Sequence, residues 1–279
     1  GNFDEATLEY QKAIRRNPYN VQAYFRLGQL LERQGTRDWA IPKYKKVIEL
    51  DPTYIDAYVS LAKLYRQTGN LNEAIVYYTK GLEAIPHKLE ILSESVSFYS
   101  EQGMHKGVLE EYQELERLKD TRIGIHQDLA SLYKAKGKTL EAIEEYKRLL
   151  RIVPQDVTGL KELASIYEEE GMYNQIKALF AKIMELKPDA GPKLKEDLLR
   201  LEKIASHHAL ASIYKNQGLN EKVIAEYQKI IDFQPQSIYT LRCLGSFYAQ
   251  LGMFQAAENI YSRIIQIKPE ATEFYLALG

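Results

Sequence analysis

Apolar and polar residues alternate along this chain with the period of a helix, and the pattern is clearest between Thr53 and Pro86. Tyr58, Leu61, Ala62 and Tyr65 fall three and four residues apart, Gly69 follows, and Ala74 and Tyr78 resume the spacing before Pro86. This predicts two short amphipathic helices. The first runs from about Tyr54 to Thr68 and ends at Gly69, a residue that accepts the left-handed conformation of a helix C-cap. The second opens near Asn72 as N-cap and stops before Pro86. Ala62 and Ala74 let the two backbones approach, while Tyr65 and Tyr78 fill the space beside them.

The pattern recurs along the whole chain. Stepping by 34 residues, the closing position is Pro18, Pro52, Pro86, Asp120, Pro154 and Pro188, and after one break Pro235 and Pro269. Glycine stands seventeen residues after each closure from Gly35 to Gly252, with Gly103 among them. An aromatic stands eight residues before each closure, Tyr10 and Phe180 included, and tyrosines such as Tyr99, Tyr133 and Tyr167 stand thirteen after. These two positions absorb thirteen of the 21 tyrosines. Repetition at packing positions makes them framework rather than a stacking platform for bases or sugars.

The order of large aromatic, leucine, small residue, tyrosine, then alanine, aromatic and proline resembles the tetratricopeptide repeat. The resemblance covers essentially the whole chain and implies an all-α, right-handed superhelical solenoid of antiparallel helix pairs. Seven full repeats are expected, at 19–52, 53–86, 87–120, 121–154, 155–188, 202–235 and 236–269. Half repeats at 1–18 and 270–279 flank them, so a single solenoid would occupy 1–279. Such pairs bury their apolar faces only by stacking on one another. A chain that starts and stops in mid-repeat is expected to be a fragment of a longer array.

Three places depart from the pattern. Repeat 87–120 has Ser95 and Val96 where its neighbours have leucine and a small residue. It also has Val108 after Gly107 in the usual place of alanine, and Asp120 in place of proline. Bulky Val96 predicts a local change of superhelical curvature. Pro42 predicts no break if Asp38 is the N-cap, because the first-turn amides have no intrahelical partner to lose. The only tryptophan, Trp39, then stands on an exposed first turn, over a neighbouring helix or as an anchor for a partner. The insertion 189–201 contains Pro192, suited to start a helix, and from Lys193 to about Asn216 nothing interrupts a helical pattern. The first helix of repeat 202–235 should therefore be extended by roughly 15–20 Å. Leu194, Leu198 and Leu201 share a face of that extension and need cover from the previous repeat or from another molecule.

Composition narrows the function. With 37 basic and 38 acidic residues there is no global field to attract nucleic acid or an anionic membrane. No apolar run approaches membrane-spanning length. The single cysteine, Cys243, excludes an internal disulfide framework and leaves the compartment open, cytoplasmic ahead of periplasmic. The five histidines lack metal-site spacing, and adjacent His207 and His208 point about 100° apart on a helix. No phosphate-cradling glycine loop is present. The reading is a non-enzymatic chain without cofactor or metal.

In the tetratricopeptide family the first helices line a concave groove that holds an extended peptide or a partner's helix. Positions seven and eleven residues after each closure lie one turn apart on that helix. The second position carries Ser97, Ser131, Ser165, Ser212 and Ser246; the first carries Ser93, Gln127, Lys161, His208 and Arg242. With Lys215 close by, these predict a peptide-binding row of Gln127, Ser131, Lys161, Ser165, His208, Ser212, Lys215, Arg242 and Ser246. Its basic members favour an acidic segment or a C-terminal carboxylate. The serines equally suit relief of crowding where inner helices converge. The family's clamp for chaperone carboxylate tails does not carry over, because Ala209, Tyr239 and Cys243 stand where asparagine and basic residues are required. Nor does the asparagine ladder of the O-linked N-acetylglucosamine transferases, whose places hold Ser60, Glu94, Asp128 and Glu162.

The function expected is a protein-interaction scaffold. The alternative is the recognition arm of a larger enzyme or secretion assembly. The half repeats add a third expectation, head-to-tail self-association through Phe3 and Tyr10 at one end and Phe274, Tyr275 and Leu278 at the other.

Overall fold

The computed structural model describes residues 3–101 and 104–269, which are helical with short connections. It divides into two compact units, Gly1–Lys136 and Gly137–Gly279. The first holds α1 (Phe3–Arg16), α2 (Val21–Arg33), α3 (Arg37–Leu50), α4 (Ile55–Gln67), α5 (Leu71–Glu101) and α6 (His105–Ala135). The second holds α7 (Thr139–Ile152), α8 (Val157–Glu169), α9 (Tyr173–Leu186), α10 (Gly191–Asn216), α11 (Asn220–Phe233), α12 (Ile238–Gln250) and α13 (Phe254–Ile267).

Local chemistry sets the helix ends. Gly35, Gly69, Gly137, Gly171, Gly218 and Gly252 have φ between +68° and +77°, the left-handed region that turns each first helix toward its partner. Gly103 lies outside the described residues, as do the side chains of Tyr99 and Val108. Three first helices restart behind a capping residue two places after closure, whereas α4 restarts behind Tyr54, which makes no side-chain cap. Asn20 accepts from the Ala23 amide at 3.0 Å, Asp156 from the Thr158 amide at 3.1 Å and Ser237 from the Thr240 amide at 3.3 Å. The second-helix cap expected at Asn72 lies two residues earlier, where Asn70 faces the Glu73 amide at 3.5 Å.

The helix start expected at Asp38 also lies earlier. α3 begins at Arg37 with Thr36 as its N-cap residue, and Pro42 is well inside the helix. It leaves the Asp38 carbonyl without a helical amide, yet the helix continues to Leu50. Trp39 is 68% exposed on the first turn.

Repeat 87–120 does not form a helix pair of its own. α5 runs unbroken through Pro86 and α6 unbroken through Asp120. At the capping offset these two junctions carry Lys88 and Arg122, which have no acceptor for the exposed amides. The described residues of this repeat, 87–101 and 104–120, instead leave the stack as the outer halves of two long antiparallel helices. The helix that takes the vacated place beside α4 and the first half of α5 is the second half of α6. Ile125, Leu129 and Leu132 share one core with Tyr58 and Ala62 of α4 and with Ala74 and Tyr78 of α5. Arg117 fixes the base of the hairpin, donating to Asp56 of α4 at 2.8 Å and to Glu114 at 2.6 Å. The curvature change expected from Val96 is thus replaced by the removal of a whole repeat from the stack.

In the second unit, the insertion lengthens α10 at its N-terminal end. A 3-10 turn at Pro188–Ala190 leads into it, and Leu194 and Leu201 are buried. Leu194 shares a core with Leu160 of α8 and Ile183 of α9. Lys177 of α9 pairs with Glu202 at 2.9 Å. The first half of α10 is therefore covered by α8 and α9. Its second half packs on α11 and α12, where Ala211, Val223 and Phe247 form a core.

Candidate functional site

Lys161 and Ser165 stand one turn apart on α8, the lysine exposed and the serine half-buried. Both line a cavity of about 460 Å³ closed by α9 and by the extension of α10. Phe180, Ala164 and Leu194 supply apolar walls, and Lys193 stands on the α10 side. Glu168, Asp189 and Asp197 also border the cavity; Arg200 approaches Glu168 and Asp197 at 3.6 Å, so its single charge offsets one of the three carboxylates. Lys161 and Lys193 have no hydrogen-bond or ion-pair partner among the described residues. The cavity thus combines apolar walls with two unpaired ammonium groups and one carboxylate, Asp189, that has no ion-pair partner among the described residues.

The other expected site residues differ in state. Arg242 of α12 pairs with Glu170 at 3.2 Å and lies 5.6 Å from the Tyr239 ring centre, so its charge is already met. The His208 ring lies 5.0 Å from Tyr239, 5.6 Å from Tyr227 and 5.7 Å from Tyr173, and Nε2 is 3.2 Å from the Thr240 hydroxyl. Burial, and to a lesser degree His207, lower its pKa to about 4. It is neutral at pH 7 and drops out of the basic row. Lys215 places its ammonium 5.5 Å from the Phe247 ring centre, and Ser212 and Ser246 are exposed. Gln127 and Ser131 belong to α6 in the first unit; the Ser131 hydroxyl donates to the Asp128 carbonyl at 2.9 Å.

Of the self-association residues, Phe3 is exposed and Tyr10 half-buried on α1. Phe274, Tyr275 and Leu278 lie outside the described residues. Sequence reasoning missed Phe180 and Lys193 as parts of a site. The signal was the insertion itself, since Lys193 stands beside Leu194, whose apolar face had to be covered.

No group of three or more potential metal ligands occurs among the described residues. Burial raises the pKa of the Cys243 thiol, which disfavours the reactive thiolate. Among the described residues, no helix is long and apolar enough to cross a membrane.

Stacked helix pairs that present exposed side chains are the architecture of a protein-interaction scaffold. The chain belongs to the tetratricopeptide repeat family: models of that repeat match residues 43–76, and 21–54, 123–156, 204–237 and 244–270, and a further TPR repeat model matches 1–35. Curated protein sequences give no match. Among solved structures, the chain is similar to the P58(IPK) TPR domain, at 16% identity over 100% of this chain and 82% of that one, TM-score 0.40. It is also similar to YrrB, described as a TPR protein with an unusual peptide-binding site, at 18% identity over 84% and 96%, TM-score 0.44. A tetratricopeptide repeat protein from Parabacteroides merdae ATCC 43184 matches at 16% identity over 100% and 91%, TM-score 0.45.

Proposed function

We propose that the second unit binds an acidic peptide segment or a C-terminal carboxylate beside an apolar side chain, at the cavity between α8, α9 and α10. The observation that carries this reading is the pair of unpaired ammonium groups, Lys161 and Lys193, at the border of a cavity walled by Phe180 and Leu194. Ser165, one turn from Lys161, adds a hydroxyl for a peptide carbonyl or carboxylate. Arg242, already paired with Glu170, and His208, neutral at pH 7, do not line this cavity.

Charge-assisted hydrogen bonds contribute about 1.5–3 kcal/mol each, so losing both amines should weaken binding at least tenfold. The test uses a panel of fluorescent peptides ending in Asp-Glu-Leu with a free carboxylate, and their amidated forms, followed by anisotropy. Saturable binding that weakens with salt, with amidation and in the Lys161→Ala, Lys193→Ala protein supports the reading. Equal binding by the wild type and the double variant sinks it.

A further inference from the structure

In this array a first helix meets the second helix before it with the residues five, nine and twelve places after closure. In α4 these are Ala57, Leu61 and Leu64, and in α12 they are Thr240, Leu244 and Phe247, all buried. In α6 they are Ile125, Leu129 and Leu132, buried as well. The ring they cover is the aromatic eight places before closure. Tyr44 of α3 lies in one core with Ala57, Leu61 and Leu64, and Tyr78 of α5 in one core with Ile125, Leu129 and Leu132.

The start of α10 keeps this register and changes its chemistry. Counted from Pro188, the three places hold Lys193, Asp197 and Arg200. The extension is still seated on α8 and α9, because Leu194 shares a core with Leu160 and Ile183. Charged side chains therefore stand where the other first helices bring apolar ones. The aromatic of α9, Phe180, is left half-buried as a wall of the cavity of about 460 Å³. Unlike Tyr44 and Tyr78, whose hydroxyls donate to Glu32 and Asp128, Phe180 offers the cavity a purely apolar ring.

The charges around that ring are in different states. Arg200 approaches Glu168 and Asp197, and Glu168 also accepts from Gln234 at 2.8 Å. Lys161, Lys193 and Asp189 have no ion-pair or hydrogen-bond partner among the described residues. Lys161, Lys193 and Arg200 thus face Glu168, Asp189 and Asp197, and the charges cancel. A uniformly acidic segment would meet as many carboxylates as cations. Asp189 and Lys193 are four residues apart through the 3-10 turn and the first turn of α10. That is about 7 Å along the axis, close to the advance of two residues in an extended peptide.

We propose that the cavity takes the C-terminal end of a partner protein whose last residue is apolar and which carries a lysine or arginine one or two places before it. The terminal carboxylate lies between Lys161 and Lys193, with the Ser165 hydroxyl beside it. The apolar side chain rests on Phe180, Ala164 and Leu194, and the basic group meets Asp189. This inference rests on the reading of the cavity as a peptide site and narrows it, since it sets an internal acidic segment aside.

The test follows the anisotropy of fluorescent octapeptides on the full chain at constant ionic strength. The parent peptide ends in Arg-Ser-Leu with a free carboxylate. Three others replace its arginine by glutamate, its leucine by serine, or its carboxylate by an amide. The parent should bind at least tenfold more tightly than each of them. Asp189 is exposed, so its replacement leaves packing intact. Asp189→Asn should bring the arginine and glutamate peptides to within about threefold of each other, and Asp189→Lys should reverse their order. Equal binding of those two peptides by the wild type, or a preference for arginine that persists in both Asp189 variants, overturns the inference. So does an amide or a terminal serine that binds as tightly as the parent. The Lys161→Ala, Lys193→Ala protein separates the two levels. If the inference fails while this variant still weakens binding of the free-carboxylate peptides, the broader reading stands; if the variant binds them as the wild type does, both fall.

Discussion

The Tyr78 hydroxyl donates to the Asp128 carboxylate at 2.6 Å, joining residues that belong to repeats two steps apart. The equivalent aromatic one repeat earlier, Tyr44, has Ser60 beside it, eight residues after its own closure. An uninterrupted stack would give Tyr78 the residue eight places after Pro86, which is Glu94. Asp128 holds that offset after Asp120, so one whole repeat has been stepped over while the contact was kept.

Deleting His87–Asp120 should therefore leave a folded protein. Pro86 would be followed by Thr121, Arg122 and Ile123, reproducing the Pro52, Thr53, Tyr54, Ile55 turn, and α6 already fills the adjoining place. The expected outcome is cooperative unfolding within a few degrees of the parent. Circular dichroism melts check it, and a molten or unfolded deletion variant would contradict the stepped-over packing.

Asp128→Ala should cost about 1–3 kcal/mol, because Tyr78 is fully buried and would lose its acceptor. Arg66, which reaches Asp128 at 2.6 Å, would lose its partner as well. Tyr78→Phe should cost less, since Asp128 keeps Arg66. Urea titrations of the two variants give the order.

Gly245 is fixed by close approach. A Cβ at this position would lie 2.6 Å from Cε1 of Tyr261, a ring that belongs to the core of α12 and α13. Gly245→Ala should destabilise by about 1–3 kcal/mol through overpacking, despite alanine's better helix propensity. Thermal melts of this variant beside Tyr261→Phe, which keeps the ring, distinguish crowding from loss of the hydroxyl.

His208 makes stability depend on pH. Its pKa in the folded chain is lowered to about 4, below its ordinary value of 6.5, so between these values the unfolded chain binds more protons. The stability it allows is present above pH 6.5, falls as pH drops from 6.5 towards 4, and levels off below. His208→Gln should flatten that part of the profile. Unfolding temperatures measured at pH 5 and 7.5 for both proteins check the sign.

Much of this was legible in the chain. The recurrence of Gly69 and its equivalents located helix ends, because a left-handed C-cap is a local backbone requirement. The spacing of Tyr44, Tyr78 and Tyr146 located the core, because packing between neighbouring helices repeats with the sequence. The extension of α10 was readable for the same reason, since no breaker stands between Lys193 and Asn216.

Tertiary structure decided what local chemistry leaves balanced. Pro86 and Asp120 look like repeat closures, yet with Lys88 and Arg122 at the capping places continuous helix prevailed, and the core of Tyr58, Tyr78 and Leu129 selected the next repeat to fill the gap. The charge state of His208 depended on three tyrosines from three different helices. The half-exposure of Phe180 depended on how the extension of α10 is seated against α9. Periodicity names the face of a helix that is apolar; only the positions of neighbouring helices decide whether that face is covered.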